Sequence, residues 1–147
     1  MRLEVLKTAL FGVLLLSLAG CSSYPGIAAV HRVAEARDDL PAEIVRADAD
    51  QPSNFRLLVE QSGVKYFVSE SDDYMSACIA AYPIDEPQQW TLACSGGITN
   101  EREIVTSSHI GQPTVKLVTT GFDTRTLETE GWKKIHENVL VGSSTRS

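Results

Sequence analysis

The chain has 147 residues, 43% of them hydrophobic and 22% charged, a length that fits one domain rather than two. Ten glycines and six prolines are too few for a disordered or collagen-like chain, and three cysteines are too few for a disulfide-dense miniature scaffold. The formal charge of −6 argues against nucleic acid and against tight electrostatic docking on anionic lipid, both of which want a basic surface.

Residues 1–7 carry Arg2, Glu4 and Lys7, and residues 8–20 carry no charge. Thirteen residues fall short of the roughly 20 that span a bilayer as a helix. A charged start, a short apolar run and small residues before a break are the signature of a secretory signal. The break reads Leu18-Ala19-Gly20-Cys21. This resembles the lipobox of bacterial lipoproteins. The resemblance implies diacylation of the Cys21 thiol, cleavage after Gly20 and anchoring of the mature chain by two acyl chains, the number that stable anchoring takes. The alternatives are a plain cleaved signal, with Cys21 an ordinary thiol, or a buried apolar helix. Ser22 and Ser23 follow, with no Asp. In a two-membrane cell that resembles the class sorted to the outer membrane. In a one-membrane cell the protein stays on the outer face of the plasma membrane. Loss of residues 1–20 brings the charge to −7, 11 cations against 18 anions.

Residues 21–53 read as a tether and a helical lead. The spacing of Ile27, Val30, Val33, Ala34 and Leu40 predicts a helix over 27–40. Pro41 then opens a second short helix over 41–47. A breaker cluster at 48–53 separates this lead from a β-rich domain over 54–142, followed by a tail at 143–147. Alternation predicts strands at 55–60 and 64–69, joined by a three-residue loop in which Gly63 takes the positive φ. Further strands are expected at 77–82, 90–94, 103–106, 114–119, 132–135 and 138–141. Short strands at this spacing imply a mainly β fold: a small antiparallel sheet or partly open barrel with the N-terminal helical lead against it.

Setting Cys21 aside leaves Cys78 and Cys94. In an exported protein such a pair tends to close. Prolines 83 and 87 end the ladder between their two strands. In one antiparallel register Tyr82 faces Trp90, Ala80 faces Leu92 and Cys78 faces Cys94, all on one side because side chains alternate. Two free thiols or a metal pair are the alternatives. C-x-x-C spacing is absent and His31, His109 and His136 are scattered, which argues against metal.

The run from Arg56 to Val68, the segment Cys78 to Pro83, Trp90 to Cys94, and the closing Gly131-Trp132-Lys133-Lys134-Ile135 and Asn138-Val139-Leu140-Val141 together resemble a group of small exported or membrane-anchored proteins of uncharacterised function common in actinobacteria. The likeness covers residues 54–141. It implies an extracytoplasmic β-rich domain with one disulfide and implies no activity.

Signals for chemistry are sparse. Ser95, His109, Asp123 and His136 supply the residue types of a triad, but no G-x-S-x-G elbow accompanies them. Glu70, Asp72 and Asp73 read as a solvated turn, as do Asp85 and Glu86, because the calcium-loop spacing is missing. Trp132 with Lys133 and Lys134 is a candidate binding surface; the plainer reading is a core Trp beside a solvated edge. No metal or cofactor is expected. The expected function is a lipid-anchored, non-catalytic binding or envelope-assembly module. Its partners are the membrane, through diacylglyceryl-Cys21, and an envelope protein or ligand, without nucleic acid. The rival is a small cell-envelope hydrolase. Convergent polar side chains in a pocket mark the hydrolase; an exposed apolar patch marks the binding module.

Overall fold

A computed structural model describes residues 26–46, 51–96, 98 and 103–144. The signal-like segment and Cys21 lie outside the described residues, as do 145–147. The fold is mainly β. Strands β1 (Arg56–Gln61), β2 (Val64–Glu70), β3 (Ser76–Pro83) and β4 (Thr91–Gly96) form one antiparallel meander. Strands β5 (Glu103–Ser107), β6 (Pro113–Val118), β7 (Lys133–His136) and β8 (Val139–Ser144) form a second antiparallel sheet in the order β5-β6-β8-β7. β4 runs beside β5 and β1 beside β7, yet the two sheets share no ladder, so no barrel closes. β8 reaches two residues into the expected tail.

The period-two alternation explains the layers. Tyr66 and Val68 on β2 and Ala77, Ile79 and Ala81 on β3 face Ile104, Val115, Leu117 and Val139 of the other sheet. The opposite faces are covered separately. Ile44 and Phe55 lie against Phe67, Cys78 and Ala80. A short helix α1 (Arg125–Thr129) sets Leu127 against Val118 and Leu140. β2 and β3 are therefore buried on both faces. Fully burying one Phe or Ile there contributes about 1.5–3 kcal/mol.

Two turns depart from expectation. The β1–β2 loop has two residues rather than three. Gln61 pairs with Val64, and both Ser62 (φ 52°) and Gly63 (φ 75°) are left-handed. That is the primed hairpin geometry whose twist matches the strands it joins. The lead, in turn, is not an α-helix. It forms 3-10 turns at Ala28–His31 and Ala36–Asp38, and residues 41–44 make a single turn closed by Ile44 N–H donating to the Pro41 carbonyl. Val33, expected on the buried side, is 86% exposed.

Two buried carboxylates explain this. Asp38 accepts from Glu35 N–H (2.8 Å) and from Leu57 N–H on β1 (2.9 Å), and it pairs with the Arg32 guanidinium. Glu70 accepts from Ile27 N–H (3.0 Å) and lies 3.3 Å from His31 Nε2. These bonds tie the lead to the sheet in an extended path that a continuous helix could not follow. Glu70 was expected in a solvated turn; instead it extends the β2–β3 ladder opposite Ala77 and is buried. A Cβ on Gly26 would sit 1.8 Å from Glu70 Oε1, so any larger residue there would displace the Glu70 carboxylate.

Cys78 and Cys94 form a disulfide across directly opposed positions of β3 and β4, with Cα atoms 4.0 Å apart. Ala80 faces Leu92 in the same register, and Tyr82 and Trp90 pack on the same layer.

Candidate functional site

The four residues of the triad reading have separate surroundings. Ser95 Oγ donates to the carbonyl of Gly96. His109 is exposed in the β5–β6 turn. Asp123 is exposed and paired with Arg125, whose guanidinium donates to it and holds its carboxyl at about 2. His136 Nδ1 accepts from Asn138 N–H at 3.2 Å, and burial pushes its pKa down. None of the four hydrogen-bonds to another.

Trp132 is half-buried beside Val118, Leu127 and Leu140, with the Lys116 ammonium 4.5 Å from the ring centroid. Its ring also fills the space above Gly142. Lys133 and Lys134 are exposed; Lys134 Nζ donates to Thr124 Oγ1 at 3.1 Å and lies 3.7 Å from Glu128. Among the acidic residues, Asp73 accepts from Ser71 Oγ (2.6 Å) and from Met75 N–H (3.0 Å), the contacts of a tight turn. Among the described residues no group of three His, Cys, Asp or Glu could hold a metal ion.

What the sequence did not single out is a cavity where the space between the sheets opens at one end. It has a volume of about 170 Å³ and is walled by Val64, Tyr66, Ala81, Pro83, Pro113 and Val115. Three of these, Tyr66, Ala81 and Val115, belong to the core between the sheets. A short 3-10 turn, Pro87–Gln89, forms one lip, and the β5–β6 turn at Gly111 and Gln112 forms the other. The lips are tied together: the buried Gln112 amide donates to the Gln89 carbonyl. Burial raises the pKa of Tyr66. Glu86 is the charged residue of the lining; its carboxylate accepts from the Gln89 amide. Ile84 (40% exposed) and Ile110 (74% exposed) follow Pro83 and precede Gly111 in the chain and are not among the residues lining the cavity.

The cavity thus couples apolar walls to a few polar groups at the rim, the usual composition of a binding site. Its wall residues come from segments near 64, 82 and 114, so no local motif could reveal it.

No protein-family model, curated protein or solved structure matches the chain.

Proposed function

We propose that this chain is a lipid-anchored, extracytoplasmic binding module that engages an envelope partner without catalysis. The observation that carries the binding reading is the cavity between the sheets, walled by Val64, Tyr66, Ala81 and Val115. An apolar wall open to solvent suits recognition, because covering it removes apolar surface from water. The location rests on residues 1–20 and on Leu18-Ala19-Gly20-Cys21. The Cys78–Cys94 bond is consistent with it, since disulfides persist in oxidising compartments.

Indole tests the site. In a two-dimensional amide NMR titration of the full chain, indole is expected to give saturable shifts at Ala81, Gly111 and Val115 and none at Lys133 or Lys134. Absence of saturation at the first three amides rejects the mouth as a binding site.

Anchoring has its own test. The mature protein is expected to begin at Cys21, carry lipid there and partition with membranes, and Cys21→Ala should block both processing and lipidation. An intact mass showing unmodified Cys21 in the native membrane fraction counts against the anchor.

A further inference from the structure

We infer that the domain stands on the bilayer by the end that holds Gly26 and the β2–β3 turn, so that the cavity between the sheets opens away from the membrane and is filled from the aqueous side. The inference rests on the anchoring reading above and adds which end of the domain meets lipid.

The strands give the domain two ends. At one, the Gly26 carbonyl accepts from Thr120 N–H (2.9 Å), just past β6, and Ile27 N–H donates to Glu70 (3.0 Å), the last residue of β2. The Asn138 side-chain amide, in the turn between β7 and β8, donates to Thr120 Oγ1 (3.1 Å) at the same end. The β2–β3 turn over 71–75 and the β7–β8 turn therefore surround the point where the lead enters the domain. At the other end, Ile84 N–H donates to the Gly63 carbonyl (2.8 Å) and Val64 pairs with Pro83. The cavity is there, lined by Val64, Pro83, Gly111 and Pro113. β2 runs from one end to the other, Val64–Glu70. At a rise of about 3.4 Å per residue its length separates the two ends by about 20 Å.

The reach of the chain selects between them. Lipid on Cys21 fixes that residue at the headgroups. Only residues 21–25 precede Gly26, and at full extension they span at most about 18 Å. Turning the cavity down onto the bilayer would lift Gly26 about 20 Å above it, beyond that reach. With Gly26 down, the same chain needs no extension.

Charge keeps the contact free of adhesion. Asp72, Asp73 and Glu137 are exposed in the two turns at the Gly26 end, and neither turn holds a Lys or Arg. The mature chain carries −7, 11 cations against 18 anions, which disfavours lying flat on anionic lipid. The short chain thus sets the orientation. A lipid that stays in the anchoring bilayer is at the wrong end of the domain to enter the cavity, so the ligand comes from the water.

The test measures height above the bilayer on the lipidated full chain, inserted into preformed vesicles of phosphatidylethanolamine and phosphatidylglycerol. Met75→Cys marks the Gly26 end and Ile110→Cys the cavity end. Both side chains are exposed, 60% and 74%, so a donor dye at either leaves the core intact. Cys78 and Cys94 are bonded to each other and the Cys21 thiol is held by lipid, so the dye attaches at the new cysteine. Energy transfer to acceptor-labelled headgroups is expected to place residue 75 nearer the headgroups than residue 110 by about 20 Å. Equal distances mean a domain lying on its side and overturn the inference, as does residue 110 being the nearer. Transfer that persists in the Cys21→Ala background, with soluble protein added to the same vesicles, shows adhesion in place of the short anchor and also overturns it. An intact mass measured on the same sample separates the two readings. With lipid on Cys21 and the order of distances reversed, this inference fails and the anchor stands; with Cys21 unmodified, the anchor fails and this inference falls with it.

Discussion

Asp38→Ala is expected to destabilise the fold by about 3 kcal/mol. Breaking a buried ion pair by removing one partner costs about 3–5 kcal/mol, and the lower figure applies because Arg32 keeps partial access to water. Three losses combine. The N–H groups of Glu35 and Leu57 lose their acceptor, the Arg32 guanidinium loses its nearest counter-charge and keeps only Glu35 at 3.6 Å, and the lead loses its tie to β1. Burial on its own would push the Asp38 carboxyl up. The Arg32 hydrogen bond and the two N–H groups outweigh it and hold the carboxyl well below the usual carboxylate range. The sign follows. A folded pKa depressed below the unfolded value of about 3.9 gives stability that is complete above that value. The contribution is lost as pH falls through the folded pKa. Urea unfolding of wild type and Asp38→Ala should therefore show a gap that is constant from pH 7 to about pH 5 and narrows toward pH 2. The neighbouring Asp39 is exposed, so Asp39→Ala should stay within about 0.5 kcal/mol of wild type. A gap that stays flat to pH 2, or equal effects at the two positions, would defeat this account.

The same residue shows why some of the fold was legible in the sequence and some was not. The eight strands follow from alternation, and each lies within two residues of its expected bounds except β8, which runs three residues past 141, because period-two burial is a local property. The cysteine register follows for the same reason: fixing one pair fixes the parity of the others. The lead is different. Ile27, Val30 and Leu40 fit a helical stripe, but the same spacing is met by two 3-10 turns. What decides between them is the bond from Leu57 N–H to Asp38 and that from Ile27 N–H to Glu70, across 19 and 43 residues. Neither leaves a trace in a local window. Glu70 also sits in a run of polar residues, so composition read it as turn while the ladder to Ala77 buried it. The mouth between the sheets is the extreme case, since it exists only once two sheets face each other.

Removing the disulfide by Cys78→Ala together with Cys94→Ala is expected to cost about 3 kcal/mol in the chain-entropy model, for a loop with a sequence separation of 16. For a domain of this size that corresponds to a fall in Tm of roughly 10 °C. The effect acts mainly on the unfolded chain, whose two cysteines are no longer held together. In the native state the register is already specified, because Ala80–Leu92 and Ala81–Thr91 pair on the same ladder and Phe67 packs beneath Cys78 and Ala80. The variant should therefore fold to the same structure. Its amide NMR spectrum should overlay that of wild type away from β3 and β4, and it should still bind indole at the mouth, since Ala81 and Tyr66 point to the opposite face from Cys78. Thermal melts of wild type, wild type under reductant and the double variant separate the contributions. Reduced wild type and the double variant should melt within a few degrees of one another, both well below the oxidised protein. If the variant melts with oxidised wild type, the bond adds nothing to this fold. If it loses the indole site along with stability, the hairpin register depends on the covalent link rather than on the packing beneath it.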